Sequence, residues 1–211
     1  MKKFLVAIMT VLFSAPSFAQ YSSGGFSLSE SSVYYGIRLG LNISSLSGDQ
    51  NPNIAAELNA KPGLNLAGVV GLRVSDTTPV FLESGLYFTQ RGAKNGKNSV
   101  GLNYLEIPIL IKYGIQATDD IAVLPYVGPT FGLGIAGQEK GVGGHKQNSF
   151  GNNYSRPDVG IKLGCGAEYN KLYLELGYQF GITNIADWQL ATGDDASVHN
   201  GAFFVNFGVN F

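Results

Sequence analysis

The sequence predicts an all-β fold, an eight-stranded antiparallel transmembrane β-barrel with its N- and C-termini in the periplasm. Three observations predict it. Apolar side chains alternate with small or polar ones over eight segments, most of them long enough for a tilted membrane strand of ~9–11 residues. Charged residues are 14% of the chain and glycines 29 of 211 residues, whereas soluble domains average about 25% charged residues and about 7% glycine. The connections alternate between short and long.

Residues 33–45 illustrate the alternation. Odd positions from Val33 to Ile43 are apolar or aromatic, while even positions such as Gly36, Arg38 and Asn42 are small or polar. A period of two is typical of a strand that lies between two unlike environments. The same pattern recurs, in chain order, at residues 64–74, 80–91, 105–113, 123–135, 158–169, 172–183 and 203–211.

The two sides of the predicted strands differ in charge. The apolar sides carry no charged residue, and the lone Cys165 lies among them as a small hydrophobic side chain. A soluble β-sandwich would instead turn a Lys- and Glu-rich side outward. We therefore expect the apolar side to face lipid, where an Arg or Lys costs about 2–4 kcal/mol at mid-bilayer. Strands can cross hydrocarbon only as a closed barrel, because every backbone polar group must be paired.

The second side is rich in Gly, Asn, Ser and Thr and carries five basic and five acidic residues. An eight-stranded barrel is only wide enough for side chains to fill. We predict a lumen plugged by an ion-pair network, in which Arg38, Arg73 and Lys112 pair with Glu83, Glu106 and Glu175. A small polar pore lined by the same charges is the alternative. The predicted network consists of Arg38, Arg73, Glu83, Arg91, Glu106, Lys112, Asp158, Lys162, Glu168 and Glu175.

The N-terminus predicts export. Residues 1–19 read as a signal peptide, since Lys2 and Lys3 precede an apolar stretch and Ala19 ends a small-residue cleavage site. A buried N-terminal helix is the alternative. Residues 20–32 form a flexible lead-in and residues 33–211 the barrel domain. We expect the protein to reach the Gram-negative outer membrane after the signal peptide is cleaved.

Loop lengths predict the orientation. Residues 75–78, 117–120 and 170–171 are short connections, which outer-membrane barrels keep in the periplasm, and the long loops then lie outside. The long loops are residues 46–60, 137–156 and 184–200. Lipid-side aromatic residues cluster at both predicted interfaces, as such barrels favour. They are Tyr35, Tyr113, Tyr169 and Phe211 at the periplasmic end, and Phe88, Tyr178, Phe180 and Phe203 at the outer end.

From about residue 33 to its end, the chain resembles the PorT-type outer membrane β-barrel family. The matching pieces are Tyr35-Gly-Ile-Arg-Leu-Gly-Leu-Asn42, Arg91-Gly92, Tyr104-Leu-Glu-Ile-Pro108, Pro125-Tyr-Val-Gly-Pro129 and Asp158-Val-Gly-Ile-Lys-Leu-Gly-Cys-Gly-Ala-Glu168. The resemblance implies an eight-stranded outer-membrane barrel without a catalytic motif. Its closing strand resembles those in which terminal aromatic residues, here Phe207 and Phe211, are recognised by the barrel-assembly machinery.

Candidate chemistry is sparse. His199 follows Asp194 and Asp195 in the sequence, and such a cluster could activate a water or hold a metal at the barrel rim, although solvated loop residues are the commoner case. His145 lies in the loop 137–156. A single Cys excludes a multi-cysteine zinc site. We expect no metal, no cofactor and no enzymatic activity, and the net charge of −1 does not indicate nucleic-acid binding.

Pro108, Pro125 and Pro129 fall inside the fourth and fifth predicted strands. Each lacks the N–H that a strand ladder needs, so we expect bulges or broken pairing there. These irregularities either shape a small barrel or open a lateral gap that passes an apolar ligand between lumen and lipid.

The predicted function is therefore non-enzymatic. The three long loops would serve binding or envelope structure, with Phe150, Tyr154 and Trp188 as contact residues. The expected partners are outer-membrane lipid, the barrel-assembly machinery and an extracellular or envelope protein. The alternatives are transport or lateral passage of a small apolar solute and, less favoured, a rim hydrolase that uses His199.

Overall fold

A computed structural model describes residues 33–48, 59–75, 77–95, 98–140, 146–150, 153–189, 193 and 195–211. The predicted signal peptide 1–19 and lead-in 20–32 lie outside the described residues, as do His145 and Asp194. No helix in the described ranges is long and apolar enough to cross a membrane.

Ten strands make up the regular structure of the described chain. They are β1 (Val33–Gly48), β2 (Asn59–Arg73), β3 (Val80–Asn95), β4 (Asn98–Tyr113), β5 (Ile115–Gln116), β6 (Ile121–Lys140), β7 (Lys146–Asn148), β8 (Pro157–Tyr169), β9 (Leu172–Gly181) and β10 (Val198–Asn210).

Eight long antiparallel strands form a closed barrel. Neighbours in sequence pair around the wall in the order β4-β3-β2-β1-β10-β9-β8-β6, and β4 pairs with β6 to complete the circle. The first and last long strands are joined over their whole length, from Gly36 opposite Asn210 to Gly48 opposite Val198. The short strands β5 and β7 both pair with β6. The predicted eight-stranded antiparallel barrel is confirmed.

Alternating residues of each strand face opposite sides of the wall. Along β1, Leu39 and Leu41 are each 60% exposed. Arg38, directly before them, and Asn42, directly after them, are 1% and 2% exposed. The outward side is apolar on all eight long strands, so an isolated barrel would present a continuous belt of Leu, Ile, Val and Phe to solvent. Such a belt is the surface that a membrane barrel turns toward lipid.

Aromatic side chains border the belt at the end where the chain termini lie. Tyr35 and Phe211 are exposed neighbours whose backbones exchange two hydrogen bonds, of 3.2 and 2.7 Å. Tyr113 and Tyr169 are each 49% exposed at the same end of their strands. At the opposite end the rings of Tyr178 and Phe180 lie with centroids 4.5 Å apart.

The tight turns obey local backbone rules. Asn170 and Lys171 link β8 to β9 with φ angles of 46° and 71°, the two positive values that a two-residue hairpin turn of the right twist requires. At the other end, β3 and β4 continue as a paired hairpin to Asn95 opposite Asn98. Most of the described residues between the predicted segments 80–91 and 105–113 are therefore strand.

The prolines interrupt the ladder without shifting its register. Pro108 pairs with Thr130, and the next pair between β4 and β6 is Ile111 with Val127, so two pairs are missing between them. The ladder between β3 and β4 also skips the residues opposite Pro108. On the other side of β6, Pro125 and Pro129 remain paired with β8. The wall thus keeps its strand order across the proline region.

Candidate functional site: the sealed lumen

Nine of the ten charges predicted for the lumen are buried inside the barrel, at 4% exposure or less. They come from five different strands, and each occupies an inward position of the period-two pattern. The tenth, Arg73, is only partly buried at the end of β2, where its Nε donates to the carbonyl oxygen of Ser75 at 2.8 Å. The charges form two groups along the barrel axis.

The first group surrounds Glu83 near the end where the termini lie. Its carboxylate lies 2.8 Å from Nζ of Lys112 and 3.6 Å from a guanidinium nitrogen of Arg38. The hydroxyl of Tyr34 donates to the same carboxylate at 2.6 Å. The guanidinium of Arg38 also lies 3.9 Å from the ring centroid of Tyr173. One carboxylate therefore forms ion pairs with two buried cations, and the side chains of Tyr34 and Tyr173 contact this group.

The second group surrounds Arg91 toward the long-loop end. Its guanidinium pairs with Glu106 and with Asp158, the latter at 3.1 Å. Asn200 donates to Asp158 at 2.8 Å. Glu106 thus pairs with Arg91, and not with the Arg38, Arg73 or Lys112 predicted as its partner. The two residues lie on the inward sides of the adjacent strands β3 and β4. The register places Glu106 opposite Tyr87, so the long Arg91 side chain spans four residue pairs along the barrel axis to reach it.

Lys162 lies between the two groups. Its Nζ is 4.2 Å from the ring centroid of Tyr87 and 4.3 Å from that of Phe204. Contacts between a desolvated ammonium and aromatic faces are worth about 2 kcal/mol. The side chain therefore crosses the lumen and fills its middle.

Two further acids are held by amides. Glu175 accepts a hydrogen bond of 2.7 Å from Asn206, and Glu168 accepts one of 2.6 Å from Asn210. Both asparagines lie on the inward side of β10. The prediction paired Glu175 with a cation, but its shortest hydrogen bond comes from an amide.

Uncharged polar residues are the part of the site that the sequence argument did not assign. Asn42 donates to Asn65 at 2.8 Å, and Asn65 in turn donates to Asn206 at 3.1 Å. Gln179 donates to Thr130 at 2.9 Å. All of these residues occupy inward positions, so the alternation could have identified them, although nothing in the pattern indicates which would bond to which.

Clusters of buried apolar side chains lie at both ends of the lumen. Near the termini a floor consists of Tyr34, Phe81, Ala122, Leu124 and Tyr173. At the long-loop end a roof consists of Val100, Leu102, Tyr104, Phe150, Tyr154, Ile185 and Val198. Buried apolar side chains therefore lie at both ends of the described barrel, above and below the charged groups.

The roof corrects one prediction. Phe150 and Tyr154 were expected as exposed loop contacts, but they are 4% and 1% exposed. The ring of Phe150 packs edge-to-face on Tyr104 with centroids 5.7 Å apart, and Tyr154 packs likewise on Trp188 at 5.5 Å. The prediction is wrong because the loops fold inward over the apolar ends of the long strands. Trp188 is partly buried beside them.

A cavity of 10 Å³ lies among Tyr87, Arg91, Glu106 and Lys162. That volume corresponds to about one water molecule. The described interior is therefore lined by buried polar and charged side chains around this small cavity.

Of the predicted rim cluster, the structure describes Asp195 and His199, while Asp194 lies outside the described residues. His199 faces away from the lumen, and its Nε2 lies 3.2 Å from the hydroxyl of Ser197. Asp195 forms a bridge with Gln189. No group of three or more His, Cys, Asp or Glu residues suited to a metal ion occurs among the residues that the structure describes.

The closed barrel, its apolar outer belt and its ionic interior define a β-barrel protein of the outer-membrane type. The sequence profile of the "Outer membrane protein beta-barrel domain" family matches residues 18–187. The chain belongs to this family, and the family assigns it to the outer membrane. No curated protein matches the sequence.

One solved structure shows the same fold, and a second has a lower superposition score. Neisserial surface protein A (NspA) superposes with a TM-score of 0.51 at 16% identity, over 86% of this chain and 98% of that one. The outer membrane protein OprG from Pseudomonas aeruginosa superposes with a TM-score of 0.46 at 14% identity, over 87% of this chain and 98% of that one. At these identities the likeness concerns the fold alone.

Proposed function

We propose that the protein is a non-enzymatic barrel of the Gram-negative outer membrane, which presents its long loops outside for binding or envelope structure. The packing inside the barrel is the observation that carries this proposal. Apolar clusters lie at both mouths, paired charges fill the space between them, and the interior cavity holds only 10 Å³. A barrel built in this way serves as a scaffold for its loops. The narrower PorT-type membership remains part of the proposal.

Planar-bilayer recording tests the plug. The purified, refolded protein is expected to give no steady ionic current, because no aqueous path connects the two mouths. Insertion is verified in the same sample by the change in gel mobility between folded and heated barrel. Steady current steps from a folded sample would contradict the proposed plug. They would favour the alternative in which the same charges line a small polar pore.

Orientation is tested separately on intact cells. We propose that the termini and short turns lie in the periplasm. In a Cys165→Ala background, an impermeant maleimide is expected to label Asp187→Cys, in the loop between β9 and β10. It should not label Asp119→Cys in the short turn between β5 and β6. Both positions are exposed, so only the side of the membrane distinguishes them. The reverse labelling pattern would refute the orientation.

Export and assembly complete the proposal. Cleavage of residues 1–19 would leave Gln20 as the first residue of the mature protein, which N-terminal sequencing can check. Phe207 and Phe211 are 55% and 65% exposed on the outer side of β10, an accessible position for recognition by the barrel-assembly machinery. The envelope or extracellular protein partner is part of the same proposal and is expected to bind the long loops.

Passage of a small apolar solute is the second candidate. The observation in its favour is the interrupted ladder beside Pro108, where β4 lacks pairs with both neighbours. The lumen side of this region is occupied by Leu110, Tyr126 and Phe204, which pack together. A lateral path would therefore require these side chains to move.

A further inference from the structure

A second cavity, of 490 Å³, lies on the outer side of the barrel wall near the long-loop end. The register gives its height. Phe88 and Leu105 are paired on the outward sides of β3 and β4, and the next outward pair, Gln90 with Asn103, lines the cavity. The cavity therefore begins where the apolar belt ends, at the level of lipid headgroups. Its volume falls in the range of about 300–1,000 Å³ that is usual for ligand sites.

The cavity is basic. Lys61, Lys140 and Lys146 line it, and Lys94 is exposed opposite Ser99, another lining residue. Among the described residues, no Asp or Glu lines the cavity, and none of these four lysines forms an ion pair. Its remaining polar lining consists of Arg91, whose guanidinium is paired with Glu106 and Asp158 inside the barrel, and of neutral hydrogen-bonding groups from β3, β4 and β6. Within the described ranges, the positive charge of these lysines is therefore not balanced by an acidic lining residue.

Two local features favour the binding of one anion by several of these lysines. Lys140 and Lys146 lie directly opposite each other on β6 and β7, a like-charge arrangement that destabilises a strand pair unless an anion bridges it. Across the cavity, Nζ of Lys61 donates to the carbonyl oxygen of Val100 at 3.2 Å. A Cβ atom at Gly101 would lie 2.8 Å from this Nζ, so the glycine leaves room for the ammonium group.

We propose that this cavity binds a phosphate group of an anionic glycolipid in the outer leaflet, held by Lys61, Lys140 and Lys146. Ammonium groups bind phosphate through charge-assisted hydrogen bonds. The position directly above the apolar belt selects a membrane lipid over a soluble anion, because a lipid seated against the belt brings its headgroup to this height. The inference rests on the proposed orientation, in which the long-loop end faces outward.

Binding of purified lipid A to the full mature protein in a neutral detergent tests the site. Native mass spectrometry measures the affinity for bisphosphorylated lipid A, for its dephosphorylated form and for inorganic phosphate. The triple variant Lys61→Gln/Lys140→Gln/Lys146→Gln loses three partly exposed lysine–phosphate contacts. It is expected to bind bisphosphorylated lipid A about tenfold more weakly than wild type. The matched control Lys171→Gln removes one charge at the opposite end of the barrel and should leave the affinity unchanged.

A double variant with only Lys140→Gln and Lys146→Gln controls for misfolding, because both positions are exposed. It should show part of the loss in lipid A affinity. Equal affinity of wild type and triple variant would overturn the proposal, as would equal binding of dephosphorylated lipid A. Equally tight binding of inorganic phosphate would overturn the lipid assignment. These variants are expected to leave the conductance and labelling results unchanged, so loss of this site is distinguishable from failure of the proposed function.

Discussion

The ammonium nitrogen of Lys112 lies 2.8 Å from Oε1 of Glu83, and both side chains are at most 1% exposed inside the barrel. Arg38 approaches the same carboxylate from another strand at 3.6 Å. Because a buried charge without its partner is far more costly than a buried pair, the three side chains form one unit. The interior is therefore held by interactions that no single strand supplies.

Glu83→Gln is expected to destabilise the folded barrel by about 3 kcal/mol, since it leaves two buried cations without their carboxylate. Urea unfolding in lipid vesicles measures this change. The double variant Glu83→Gln/Lys112→Met restores the charge balance and should lose less stability than the two single variants together. Strict additivity in this cycle would contradict a coupled pair. Asp119→Asn, in an exposed turn, is the control.

The outer belt is tested by a charge placed at two depths on the same strand. Leu39→Arg, at a position 60% exposed in the middle of β1, is expected to cost about 2–4 kcal/mol of unfolding free energy in a bilayer. Val33→Arg lies at the strand end and should cost about 1 kcal/mol or less. The same vesicle unfolding assay compares the two. Equal and small costs at both depths would mean that the belt does not contact acyl chains.

The wall of the barrel could be predicted from the sequence because its determinants are local. Period-two alternation assigns every position from Val33 onward to one of two sides, and in β1 the exposed and buried positions follow this assignment. A membrane barrel makes the contrast stronger than usual, since hydrocarbon excludes charge from one whole side. The closing pair of β1 with β10 then follows from the even strand number and the need to leave no free edge.

The interior contacts could not be predicted in the same way. Which charges meet depends on strand stagger, and stagger is a property of the closed barrel that no single segment encodes. The prediction from the sequence is therefore wrong about the cation that pairs with Glu106, which is Arg91. The inward folding of Phe150 and Tyr154 was missed for a related reason. Their apolar partners, such as Leu102, lie on strands remote in sequence.

Phe150→Ala is expected to open the roof without opening a pore. Loss of this buried ring should cost about 3 kcal/mol of local stability, so limited proteolysis is expected to cut the loop between β7 and β8 faster than in wild type. The charges around Arg91 remain below it, and bilayer conductance should stay absent. Trp188→Ala, at a partly buried position, is the milder comparison. Unchanged proteolysis would mean that Phe150 does not hold the loop.

The prolines of β4 and β6 either shape the barrel wall or open a lateral path for an apolar ligand. β6 stays paired with β8 at Pro125 and Pro129, and Leu110, Tyr126 and Phe204 fill the lumen behind it. We therefore expect uptake of a small apolar dye by proteoliposomes to equal that of protein-free vesicles, and Pro125→Val/Pro129→Val to change nothing. Protein-dependent uptake that this double variant abolishes would instead establish lateral passage. Phe204→Ala provides the complementary test, because a path blocked only by this ring would carry dye once it is removed.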